Sequence, residues 1–141
     1  MVCTTDYRYD LFLGGTCGNS KWRDELIPLL DEKGITYFNP VTEEWNDEAK
    51  KREDDAKKNS RYLLFVITDP KAKDGEHISP YSLVEASVCV CRYPNRTIVC
   101  FLATEDMPKH LKSALKKIQQ DLKELEGAKI CSSLEGIFQW L

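Results

Sequence analysis

The sequence is short of the usual signs of metal, membrane and nucleic-acid chemistry. It has no C-x-x-C pair, and His77 and His110 stand at no ligand-like spacing from a cysteine. A bound metal is therefore not expected, and no motif asks for an organic cofactor. No long apolar run occurs, so no membrane span is expected. The opening stretch MVCTTDYRYD has no apolar signal region, which points to a cytoplasmic protein. The formal net charge is −3 with no basic stripe, so a nucleic-acid polymer is not the expected partner. Disulfides are not expected either, although there are six cysteines. Cys100 lies in a strand-like run and Cys89 and Cys91 in a helix-like run, where small apolar residues belong. Reduced, mostly buried thiols are the reading.

What is present suits one domain spanning residues 1–141. The length supports a real core, and 42% hydrophobic with 30% charged residues is a globular balance. Residues 62–67, YLLFVI, are apolar throughout and read as a strand buried on both faces. Pro70 ends it and leaves Asp69 at the carboxyl edge, where open α/β sheets bind ligands. A long polar connection follows, with an Asp74-Gly75 turn signal. Ser79 and Pro80 then open a helix as N-cap and first residue. Ser79, Ser82 and Glu85 recur every three residues and share one face near its amino end. A strand-end carboxylate and a helix carboxylate can thus face one cleft.

Around this centre, strand and helix alternate about five times. Residues 9–13 form a strand that ends in the glycine-rich turn Gly14-Gly15-Thr16-Cys17-Gly18. Its spacing is neither a dinucleotide fingerprint nor a P-loop; a tight turn and a ligand cradle both fit. A helix over about 21–32 follows, with Gly34 after it and Pro28 inside it, where a kink or early break is expected. Residues 35–38 form a short strand. The charged stretch 42–61 reads as a long, mostly solvated helix with a thin stripe at Trp45, Ala49, Arg52 or Glu53, and Ala56. Residues 97–103 form another buried strand. Asp106 can cap a helix striped by Leu111, Leu115, Ile118, Leu122 and Leu125. Residues 129–131 offer a fifth strand, with Ser132 or Ser133 capping a last short helix. The alternation predicts a flavodoxin-like (Rossmann-like) α/β three-layer sandwich on a parallel sheet of about five strands.

The pieces Phe12-Leu13-Gly14-Gly15-Thr16, Trp22-Arg23, Phe38-Asn39-Pro40 with Trp45, Val66-Ile67-Thr68 and Tyr81-Ser82-Leu83-Val84-Glu85 occur in an order that resembles the nucleoside 2-deoxyribosyltransferase-like family, in its small bacterial-type branch. The resemblance covers about residues 9–103. It implies cleavage of a nucleoside or nucleotide N-glycosidic bond by a glutamate that forms a glycosyl-enzyme, and Glu85 matches that nucleophile. The family's transferases carry an aspartate six residues earlier and a threonine three earlier. Here those places hold Ser79 and Ser82, and related deoxynucleotide N-hydrolases also carry serine at the first. The resemblance further implies a homodimer or higher homo-oligomer, and no cofactor.

A carboxylate nucleophile divides one difficult displacement into two and needs no metal. Asp69 could protonate the leaving base or hydrogen-bond it. The substrate-binding set is then Gly14, Gly15, Thr16, Arg23, Asn39, Trp45, Ser79 and Ser82. The glycines would let the sugar or its phosphate come close, Arg23 would reach a 5′-phosphate, and Trp22, Trp45 or Phe38 would stack on the base. Each residue has a plainer reading. Glu85 and Arg23 could be surface residues, Asp69 a turn cap, and Trp22 and Trp45 core. His77 and His110 read as solvent-exposed. Three functions follow: 2-deoxyribosyl transfer between bases, hydrolysis of a deoxynucleoside 5′-monophosphate, or a nucleotide-binding module without catalysis. A response-regulator relative fits less well, because Gly14-Gly15 occupies the place of the paired acids that class needs.

Overall fold

A computed structural model describes residues 7–16, 20–42, 44–68, 80–102 and 107–141. Five strands, β1 (Tyr9–Gly15), β2 (Tyr37–Phe38), β3 (Ser60–Ile67), β4 (Thr97–Phe101) and β5 (Lys129–Cys131), pair side by side in the order β2-β1-β3-β4-β5. Every pairing is parallel. The described residues also form four helices, α1 (Trp22–Glu32), α2 (Asp47–Lys58), α3 (Pro80–Arg92) and α4 (Lys109–Lys123), and a closing 3-10 turn (Glu135–Trp140). This is the doubly wound, flavodoxin-like α/β arrangement, with the order reversing between β1 and β3.

Strand alternation sorts the core into two layers. Leu11, Leu13, Leu64, Val66, Ile98 and Cys100 face α1 and the closing turn, meeting Trp22, Leu26, Leu30, Leu134 and Ile137. Phe12, Leu63, Phe65, Ile67, Val99 and Phe101 face the other way, onto Ala56 of α2, Ala86, Cys89 and Val90 of α3, and Leu115 and Leu122 of α4. A sheet covered on both faces has no polar side to show, which is why β3 and β4 read as continuous apolar runs.

Several boundaries depart from the sequence reading. The charged helix is shorter than 42–61: α2 begins at Asp47, because Asn46 accepts the Ala49 amide at 2.8 Å and caps it there. Trp45 therefore lies before the helix and outside its stripe, and it is exposed rather than core. At the other end, Ser60 and Arg61 belong to β3. α1 is not interrupted at Pro28. Pro28 is exposed, so the carbonyl that loses its partner one turn back can be hydrated. Cys89, Cys100 and Cys131 are buried free thiols, whereas the helical period puts Cys91 on the outer side of α3. Cys3, Cys17, the Asp74-Gly75 turn, His77 and Asp106 lie outside the described residues, and His110 is exposed on α4. Ser133, one residue before the cap position, accepts the Gly136 amide at 3.1 Å. Among the described residues no helix is long and apolar enough to cross a membrane.

Candidate active site

α2 and α3 lie on the same face of the sheet, both against β1 and β3. Glu85 stands in the second turn of α3, on the side that also carries buried Ser82, Ala86 and Cys89. Lys57 comes from the last turn of α2. Its Nζ donates to Glu85 Oε2 and lies 3.5 Å from Oε1 of Glu53, one turn earlier on the same helix. The ammonium also sits 5.6 Å above the Phe12 ring. Only 13% of the Glu85 side chain, 17% of Glu53 and 21% of Lys57 remain exposed. Two carboxylates and one ammonium therefore share a largely dry gap between two helices and an aromatic floor.

The local sequence explains the gap. Ala49 and Ala56 are the buried residues of α2, and Glu53 falls between them at helical spacing. Small residues bring the helix close to the sheet and carry Glu53 inward with them. Arg96 holds the end of this helix, its Nη2 donating to the carbonyls of Lys57 (2.9 Å) and Ser60 (2.6 Å).

Burial pushes the Glu53 carboxyl above the ordinary carboxylate range; the Lys57 ammonium opposes the rise and the Glu85 charge adds to it. Burial also works to lower Lys57, but the hydrogen bond and charge of Glu85, with that of Glu53, outweigh it and hold the ammonium above its usual value. The Tyr81 phenol, one turn before Glu85, is raised mainly by the Glu85 charge.

The glycine turn forms a second group. Gly14 follows Phe12 on the same face of β1, and a Cβ there would meet the Phe65 ring at 2.9 Å and Phe12 Cε1 at 3.1 Å. Gly15 has φ +112°, and a Cβ there would lie 2.2 Å from the Val66 carbonyl oxygen. Its need for glycine comes from the β3 backbone. Thr16 is buried and fully engaged in structure: its amide donates to Val66 O (2.9 Å) and its hydroxyl accepts the Thr68 amide (3.1 Å). The Thr16 carbonyl accepts from Trp22 Nε1 and Arg23 Nη1, both at 2.8 Å. Arg23 is buried, not a surface residue; Nε and Nη2 donate to Leu13 O (3.3 and 3.0 Å), and the guanidinium stacks 4.2 Å from the Trp22 ring centroid. Its guanidinium thus ties α1 to the open carbonyls at the end of β1.

Of the expected site residues, Glu85 and Ser82 share the inner side of α3, and Gly14 faces the same layer. Thr16 and Arg23 form the brace behind the turn. Asn39 and Trp45 are exposed in the β2–α2 connection, where Asn39 Oδ1 accepts the Val41 amide at 3.2 Å. Phe38 packs on Phe12, ring centroids 6.0 Å apart. Asp69 and Ser79 lie outside the described residues. Lys57 and Glu53, which join Glu85 in this cluster, are not among the residues the sequence pattern singles out. The available signal was an acid placed between two alanines on the buried stripe of an otherwise charged helix. Among the described residues no group of three or more His, Cys, Asp or Glu could hold a metal ion. A separate cavity of about 470 Å³, between α4 and the ends of β4 and β5, is lined by Lys112, Lys116 and Phe101 among others and does not include Glu85.

The fold is a doubly wound α/β one, with a largely buried cluster of two carboxylates and one ammonium on its α2–α3 face. The family model described as nucleoside 2-deoxyribosyltransferase like matches residues 8–104, and the chain belongs to that family. A comparison with curated proteins finds no match. Membership supports glycosyl transfer or N-glycoside cleavage on a nucleoside-type substrate as the class of chemistry.

Proposed function

We propose that the protein cleaves the N-glycosidic bond of a deoxynucleoside or its 5′-monophosphate and passes the 2-deoxyribosyl group to a second base. The observation that carries this reading is Glu85: a largely buried carboxylate with one oxygen held by the Lys57 ammonium, on the α2–α3 face of the sheet, in a chain of this family. Oε1 attacks the anomeric carbon as the C1′–N bond breaks, and the bonding pair leaves with the base, which takes a proton from Asp69. In the second step an incoming base nitrogen attacks the same carbon, the C1′–Oε1 bond breaks, its electron pair restores the carboxylate, and Asp69, left ionised by the first step, takes the N–H proton of the incoming base. Ser82 stands on the same face of α3 to orient the sugar. Trp45, 62% exposed, is available to stack on the base, with Asn39 beside it in the same connection. Arg23 and Thr16 brace the glycine turn. Ser79 supplies the short neutral group before the nucleophile.

Hydrolysis is the second reading, and Ser79 is what favours it. A serine holds an incoming base less firmly than an aspartate accepting its N–H, so water competes for the same ester. The test supplies a deoxynucleoside or its 5′-monophosphate with and without a second free base and follows the products by chromatography. A new nucleoside is the expected result. Free sugar released at one rate with or without acceptor makes the protein a hydrolase. No base release from any of these substrates leaves a binding module, which has no use for a carboxylate so placed.

The same reading includes a homodimer. Tyr81, Val84 and Val88 are exposed on the outer side of α3 at helical spacing. Pairing α3 with its copy covers this stripe and brings a second subunit beside Glu85. Val84→Asp combined with Val88→Asp is expected to convert a dimer to a monomer by light scattering. A wild-type chain that is monomeric and fully active at working concentration contradicts the dimer.

A further inference from the structure

The Glu53–Lys57–Glu85 cluster contains more than a nucleophile needs. With both acids ionised it carries one negative charge in excess, enclosed by α2, α3 and the Phe12 ring. When Glu85 becomes a glycosyl ester its charge is consumed, and what remains is one ammonium and one carboxylate. The cluster is therefore balanced in the covalent state and overcharged in the free state. The Lys57 ammonium can stay in place through both, because Glu53 lies 3.5 Å away on the adjacent turn of its own helix. The other titratable or charged groups around it are Asp54 on α2, Tyr81, Cys89 and Arg92 on α3, and Arg96 before β4. Asp54 and Tyr81 are exposed, the burial-raised Cys89 thiol is neutral at ordinary pH, and β1 faces the ammonium with the Phe12 ring.

Resting on the proposed role of Glu85, we infer that Glu53 and Lys57 are positioning residues with opposite parts in the two half-reactions. Glu53, a like charge in a dry gap, favours loss of the Glu85 charge into the ester. Lys57 keeps that charge from being lost to a proton instead, and it draws the electron pair back as the C1′–Oε1 bond breaks. Like charges crowded at low dielectric repel, and an opposite charge stabilises a departing carboxylate.

The effect is separable by experiment. Lys57→Met is expected to slow release of the sugar from the ester by roughly tenfold or more. At pH 8.5 the glycosyl-enzyme then accumulates, visible by intact-mass measurement after an acid quench and mapped to Glu85 by peptide digestion. The acid limb of its rate profile moves to higher pH, because Glu53, already raised by burial and by the Glu85 charge, loses the Lys57 ammonium that opposes the rise. Lys57→Arg, which keeps the cation, restores most of the release rate. Glu53→Gln is expected to do the reverse, slowing the base-releasing step without any accumulation of ester. A purely structural role for either residue moves both steps together and leaves the pH profile in place; that result overturns the inference. The wild type, challenged with a 2′-fluoro nucleoside that slows ester breakdown, separates this from the reading beneath it. An adduct on Glu85 with no split between the variants overturns only the parts given to Lys57 and Glu53. No adduct on Glu85 from any substrate that releases base overturns the nucleophile first and this inference with it.

Discussion

Glu85→Ala is expected to lower the rate of base release by several orders of magnitude, while the protein stays folded. The loss is large because the side chain forms the covalent bond, and the hydroxyl of Ser82, its neighbour on the same face, would give a stable glycoside rather than a labile glycosyl ester. The fold survives because the Glu85 side chain lies at the edge of the core, and Lys57 keeps Glu53 as its partner when Glu85 is gone. The lost ion pair is largely buried, so its removal costs about 1–3 kcal/mol, held to that range because Glu53 still compensates the ammonium. Glu85→Gln is the closer control: it keeps the shape, removes the negative charge, and is expected to be as inactive as the alanine variant. Rates from purified protein, set beside thermal melts of the same samples, decide the matter. Near-normal base release from folded Glu85→Ala would remove Glu85 from the site.

The elements most legible in the sequence are those whose burial leaves no alternative. β3 and β4 are covered on both faces, so their apolar runs announce them, and the doubly wound order follows from alternation. Pro80 marks the first residue of α3, as its fixed backbone angle suits that position. The face shared by Ser82 and Glu85 is a consequence of helical period alone. Less legible is anything that depends on what one segment finds in another. Arg23 carries the composition of a surface or phosphate-binding residue. Its actual partners are carbonyls of Leu13 and Thr16 at the end of a strand, and no spacing rule reveals open carbonyls. Lys57 sits in a stretch of mixed charge that looks uniformly solvated. Its inward turn depends on two alanines that let α2 settle on Phe12, and on an acid arriving from α3, 28 residues later. Trp45 shows the opposite failure: a large aromatic suggests core, but the Asn46 cap starts the helix one residue too late to bury it.

Gly15→Ala is expected to lower stability by about 3 kcal/mol, or roughly 10 °C in melting temperature for a chain of this size. Two costs combine. The backbone at φ +112° is one that alanine rarely adopts, and the added Cβ would stand 2.2 Å from Val66 O and 2.5 Å from Val66 N. Those atoms are backbone in the central strand and cannot rotate away. β1 must instead lift off β3 at the residue that pairs with Val66, which puts at risk the 2.9 Å bond from the Thr16 amide to Val66 O. The Thr16 carbonyl moves with it, and with that carbonyl the anchor of Trp22 and Arg23. Gly34→Ala separates the two costs. Gly34 has φ +69° with nothing within 4 Å of the new Cβ, so only backbone strain remains, about 1 kcal/mol or roughly 3 °C. Thermal melts of both variants should therefore differ by a wide margin. Equal losses would mean that the contact with Val66 relaxes cheaply. A Gly15→Ala protein that melts like the wild type but no longer binds nucleoside would show that this glycine serves the ligand, not the sheet.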